Sequence, residues 1–97
     1  MIKGINEKEE CIIQGILKDY PYDFFYYGSR VKGNYTKLSD LDILLKNETE
    51  VPYSVIEDIE LKFNESKISY IVNISQYANM DENFYNLIKN DLVKIEN

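Results

Sequence analysis

The chain has no histidine and a single cysteine, Cys11. The first absence removes imidazole from both acid–base chemistry and metal ligation. The second excludes a disulfide within the chain and suits a reducing compartment. No run of 18 apolar residues occurs, so no membrane-spanning helix and no membrane partner are expected. The opening MIKGINEKEE lacks the apolar centre of a signal peptide, and the expected location is cytoplasmic. There are two prolines, and no repeat, low-complexity tract or linker divides the chain, so one domain spanning residues 1–97 is expected. A domain of 97 residues has little room for both a complete site and a substrate-binding module, which points to a partner subunit.

The composition that remains is that of a globular protein, 44% hydrophobic and 29% charged. Basic residues are the scarcer sign, and the net charge of −6 argues against stable DNA binding through phosphate neutralisation. The charge is unevenly spread. Residues 24–39 hold Arg30, Lys32 and Lys37 and no acid, whereas residues 40–66 hold eight acids against Lys46 and Lys62. A basic patch beside an acidic pair suits a small anionic ligand that carries a metal.

Hydrophobic spacing predicts a helix from Glu7 to about Asp19, with Asn6 as its cap and Cys11, Ile12, Ile16 and Leu17 on its apolar side. Cys11 is expected to be buried there. Pro21 ends this helix. FFYY, Phe24 to Tyr27, reads as a buried strand, and DILLK, Asp42 to Lys46, as a second. The Tyr20–Tyr27 aromatics are expected in the core and at its rim. Pro52 marks the start of a helix carrying Val55, Ile56, Ile59 and Phe63. ISYIVNIS, Ile68 to Ser75, alternates as a third strand, with Asn73 on its polar face. A last helix starts at Asp81 and carries Phe84, Leu87 and Ile88 on one stripe; LVKIEN after it is too short to assign. The order implies an α/β (α+β) fold, a small mixed β-sheet packed with helices.

The chemistry gathers in YYGSRVKGNYTKLSDLDILLK, Tyr26 to Lys46. Gly28 permits a tight turn and close approach by a ligand. Ser29 supplies a hydroxyl, and the helix start it opens presents N–H groups that favour phosphate. Arg30 and Lys32 add positive charge. Asp40 and Asp42, two residues apart on an extended segment, share one face, while Leu41, Ile43 and Leu45 point to the core. Two carboxylates on one face repel unless a cation joins them, and Mg²⁺ is the natural candidate with phosphate oxygens at hand.

Gly28-Ser29, ten intervening residues and then Asp40-Leu41-Asp42 resemble the signature of the DNA polymerase β-like nucleotidyltransferases, and more narrowly of the minimal nucleotidyltransferases, or MNT proteins. The flanks agree: an aromatic strand before Gly-Ser, Arg30 after it, Ser39 before the first aspartate. FNESKISYIVNIS and ENFYNLIKNDLVKI extend the resemblance over most of the chain. It implies a nucleotidyltransferase-like fold and a nucleotide-binding site of Gly28, Ser29, Arg30, Lys32 and Ser39. It implies a two-metal Mg²⁺ site on Asp40 and Asp42, with ATP as substrate. It further implies an antitoxin whose partner is a HEPN ribonuclease toxin, silenced by transfer of AMP to a hydroxyl.

One position departs from the family. The third metal carboxylate falls in YIVNIS, where Val72-Asn73 stands in place of the usual Val-Asp. An amide carries no charge and accepts no proton. The expected consequence is a weakened second metal and loss of general-base help, worth roughly 10²–10⁴-fold in rate. The competing reading is a catalytically inactive MNT-like binding module that neutralises its partner by contact.

Overall fold

The computed structural model describes residues 2–97. Its organising element is the strand β2 (Leu41–Lys46), which pairs on both sides. To one side runs β1 (Asp23–Tyr27), antiparallel; to the other runs β3 (Val72–Gln76), parallel. A fourth strand, β4 (Val93–Lys94), pairs antiparallel with the outer side of β1, giving the order β3-β2-β1-β4. The sheet is therefore small and mixed, as expected, and β4 is the element that sequence patterning left unassigned.

Alternation along β2 and its neighbours gives the sheet two unlike faces. One face carries Phe24, Tyr26, Leu41, Ile43, Leu45, Val72 and Ile74 into the main core. Two helices supply the other side of that core. In α1 (Glu7–Leu17) Ile13 and Leu17 are fully buried, and in α3 (Tyr53–Asn64) Ile56, Ile59 and Phe63 are buried. The entry to α1 is fixed by a capping box: Glu9 N–H donates to Asn6 Oδ1 at 2.8 Å, and Asn6 N–H donates to Glu9 Oε1 at 3.1 Å. Cys11 is exposed, contrary to expectation. At about 100° per residue it lies roughly 200° from Ile13, on the far side of the helix from the core.

The opposite face is covered only in part. A short helix α4 (Glu82–Ile88) begins where the Asp81 carboxylate accepts the Phe84 N–H at 3.2 Å. Its Ile88 packs with Leu44 and Tyr27 in a second, smaller cluster. Of the expected stripe, only Ile88 is buried; Phe84 is 43% and Leu87 is 73% exposed. The two exposed residues overhang the open end of the sheet instead of closing it. β3 is also shorter than the expected Ile68–Ser75. Its pairing with β2 begins at Leu41↔Val72, with the Leu41 N–H donating to the Ile71 carbonyl at 2.8 Å, so residues 68–70 lie outside the ladder. The alternation nevertheless persists there, with Ile68 buried and Ile71 exposed.

The outer edge of β3 is occupied by side chains. Glu60 accepts the Ile74 N–H at 3.3 Å. The Gln76 amide accepts from the Val51 N–H at 2.7 Å and donates to the Val51 carbonyl at 2.9 Å.

Candidate active site

Strand register builds the site. Tyr27 lies opposite Asp42, and Asp42 lies opposite Asn73, so three side chains form one row on the partly covered face. Asp40, one step before β2, joins the row from its end. The Asn73 Nδ2 group donates to Asp40 Oδ2 at 3.1 Å and to Asp42 Oδ1 at 3.4 Å. The amide thus sits between two like charges and eases their repulsion.

Gly28, at φ 88°, closes the other side of this row. A Cβ there would lie 2.5 Å from Asp42 Oδ2, so the glycine is required both by its backbone and by the carboxylate against it. The turn leads into α2 (Ser29–Lys32), whose leading N–H groups have no intrahelical acceptor. Burial pushes the Asp42 carboxyl above the ordinary carboxylate range. The Asn73 hydrogen bond pulls it down, and the nearby Asp40 charge adds to the rise. The Tyr27 phenol is likewise raised by burial, against a hydrogen bond with Ser75 at 3.1 Å.

Beside the row opens a cleft of about 370 Å³. Gly28, Ser29, Lys32 and Asp42 form its polar wall; Tyr27, Phe84, Leu87 and Ile88 form its apolar wall. Tyr27 and Phe84 meet edge to face, ring centroids 6.1 Å apart. Across the mouth Lys32 Nζ reaches Asp91 at 3.8 Å, an exposed pair that an incoming phosphate can displace. One polar and one apolar wall match the two halves of a nucleotide.

Of the residues expected at the site, Gly28, Ser29, Lys32 and Asp42 line this cleft, and Asp40 and Asn73 join Asp42 beside it. Two do not. Arg30 is buried, with its guanidinium bonded to backbone carbonyls, including those of Gly4 and Ser39. The Ser39 hydroxyl accepts the Thr36 N–H at 2.9 Å within its own loop. Both groups serve the loop that leads to Asp40, so neither faces the cleft. Sequence reasoning missed the apolar wall. The available signal was Phe84 and Leu87 on a helix too short to bury a full stripe.

Two carboxylates and an amide that also has a carbonyl oxygen form a donor set suited to a hard divalent cation that keeps waters and phosphate oxygens. No group of three or more His, Cys, Asp or Glu side chains gathers as a metal site among the described residues. No helix among the described residues is long and apolar enough to cross a membrane.

The family model of the nucleotidyltransferase domain matches residues 10–95. The chain is also 30% identical over 94 residues to the "Probable protein adenylyltransferase MntA" of Haemophilus influenzae, covering 95% of this chain and 82% of that protein. With Gly28-Ser29 and Asp40-Leu41-Asp42 assembled around one cleft, the chain belongs to the nucleotidyltransferase domain family, in its minimal form.

Proposed function

We propose that this chain transfers a nucleotide, AMP from ATP, to a hydroxyl of a macromolecular acceptor with the help of Mg²⁺. The observation that carries the reading is the row Tyr27–Asp42–Asn73, flanked by Asp40 and opening on a cleft with one polar and one apolar wall. The Haemophilus influenzae relative, a probable protein adenylyltransferase, supports AMP as the group and protein as the acceptor. The resemblance to MNT antitoxins supports a HEPN-type toxin as that protein, in the cytoplasm.

Each residue has a task that follows from its place. Ser29 and the backbone of its turn orient the triphosphate, and Lys32 exchanges Asp91 for a phosphate oxygen. Tyr27 and Phe84 offer ring surface to the nucleoside. Asp40 and Asp42 hold the cation, with the Asn73 carbonyl oxygen available once its amide turns. When bound, Mg²⁺ supplies charge neutralisation at the phosphates and lowers the pKa of an attacking hydroxyl. The acceptor oxygen bonds to the α-phosphorus, the bond to the pyrophosphate oxygen breaks, and the acceptor's proton passes to solvent. Asn73 cannot take that proton, so transfer is slow relative to an enzyme with a carboxylate there.

A second reading is favoured by one observation: the Asn73 amide already bridges both aspartates by hydrogen bonds. In that reading the chain binds nucleotide or metal weakly and silences its partner by contact alone. Transfer of α-labelled ATP to the product of the adjacent reading frame separates the two. The enzyme reading expects label on the acceptor, lost with Asp42→Ala and increased roughly 10²–10⁴-fold with Asn73→Asp. Label that appears only with Asn73→Asp supports the binding module. No label with either protein removes the transferase reading.

A further inference from the structure

Arg30 is the one buried charged residue among the described residues, at 4% exposure. It forms no ion pair with a carboxylate among them. Its charge is met instead by oxygen dipoles and ring faces. Nη1 donates to the Gly4 carbonyl at 2.7 Å, and Nη2 donates to the carbonyls of Ser39 at 2.8 Å and Lys37 at 3.2 Å. Nε donates to the Ser39 carbonyl as well, at 3.0 Å. The guanidinium lies 3.7 Å from the centroid of the Tyr70 ring and 5.4 Å from that of Tyr35. Burial of an arginine has a large desolvation cost, which carbonyls bonded to all three guanidinium nitrogens offset.

The doubly held carbonyl is the informative one. Ser39 C=O belongs to the planar peptide unit whose nitrogen is that of Asp40. Two N–H groups of Arg30 therefore fix the plane from which the Asp40 side chain departs. Asp42 has no such need, since β1 and β3 pair with β2 on both sides of it. Asp40 precedes β2 and follows an exposed loop. The anchor at the far end of Arg30 is equally tight. Gly4 N–H donates to the Arg30 carbonyl at 3.1 Å, and a Cβ on Gly4 would meet Arg30 Cβ at 2.5 Å. Tyr35, over the guanidinium, donates its hydroxyl to the Lys3 carbonyl at 3.0 Å.

We propose that Arg30 is a positioning residue: it holds the Ser39–Asp40 peptide so that Asp40 and Asp42 present their carboxylates together to one divalent cation. The proposal rests on the reading of those aspartates as a cation site. It assigns Arg30 no contact with nucleotide. The N-terminal segment at Lys3–Gly4 thereby becomes part of the support for a site it does not touch.

The test uses Mn²⁺ as probe, followed by loss of the free-ion electron paramagnetic resonance signal. Hydrogen exchange at residues 36–41 and binding of a fluorescent ATP analogue without divalent cation are read alongside. Arg30→Met is expected to weaken Mn²⁺ binding about 10–100-fold, the usual cost of losing a group that supports a metal ligand. Exchange is expected to rise at 36–41, and metal-free nucleotide binding to stay unchanged. Arg30→Lys, which keeps the charge but not the forked donor geometry, is expected to show the same pattern in weaker form; it decides alone if Arg30→Met does not fold. In an Asp40→Ala background, Arg30→Met should cost no further Mn²⁺ affinity, because the ligand it positions is gone. Full additivity of the two losses overturns the proposal. So does unchanged Mn²⁺ affinity in a folded Arg30 variant, or a loss of metal-free nucleotide binding, which marks a direct phosphate contact. Failure of the unaltered protein to bind Mn²⁺ removes the cation site itself. The exchange data then decide the rest: a rise confined to 36–41 upholds the anchoring role, and no change there overturns it.

Discussion

The two faces of β2 do opposite work from adjacent residues. Leu41, Ile43 and Leu45 are fully buried against α1 and α3. Asp42, one residue away from two of them, faces a cleft that α4 leaves open. The closed face holds the chain folded. The open face holds charges together at a cost, as the raised Asp42 carboxyl records. A period of two lets one six-residue strand serve both without compromise, since a change on one side leaves the other side's contacts alone.

The largest effect should come from the closed face. Ile43→Ala removes a fully buried side chain and should cost about 2–5 kcal/mol in urea unfolding. ATP affinity per folded molecule should not move; a parallel loss would mean that the faces are coupled. On the open face, Phe84→Ala should do the reverse. ATP binding, measured by calorimetry, should weaken about tenfold, near the low end of what a base–aromatic contact contributes. The melting temperature should barely change, because Phe84 is 43% exposed. Returning to the closed face, Asn6→Ala breaks the capping box of α1 and should cost about 1 kcal/mol, with the cleft unaffected.

The smallest effect sharpens the contrast most. The Asp42 carboxyl is raised in the folded chain, so the folded state binds its proton more tightly than the unfolded state. Stability should therefore fall as pH rises from the ordinary carboxylate range, about 4, through the raised value, and the cost persists above it. Asp42→Asn should remove that slope and leave the protein slightly more stable at neutral pH. The gain should be below about 1 kcal/mol, since solvent still screens the half-buried group. Thermal melts between acidic and neutral pH check this. A destabilised Asp42→Asn would show that the carboxylate contributes to the fold.

What the sequence made legible follows from range. Gly28 and Ser29 lie in one turn, and Asp40 and Asp42 at the start of one strand, so their spacing predicts a common site. Asn73 was placeable because a strand's alternation fixes its face. Arg30 was not legible in this way. A basic residue beside a phosphate turn looks like a phosphate ligand, and only the folded chain reveals carbonyls from Gly4 and Ser39 converging on it. Cys11 failed for a related reason: an apolar run on a helix does not state which of its edges meets the core. The apolar wall at Phe84 and Leu87 depends on how α4 overhangs the sheet, and β4 on a pairing of only two residues with β1. A short helix with a wide apolar stripe hints at the first, and nothing local marks the second.

The side chains on the rim of β3 bear on how this protein meets others. Glu60 holds the Ile74 N–H, so an incoming strand finds that edge group already taken, and the Gln76 side chain ties the neighbouring Val51 backbone to the same rim. At the opposite rim β4 offers only two paired residues as a template. A partly occupied border on one side and a two-residue border on the other are poor templates for adding a strand. The surfaces above and below the sheet, not its borders, are therefore what this fold leaves open to contact.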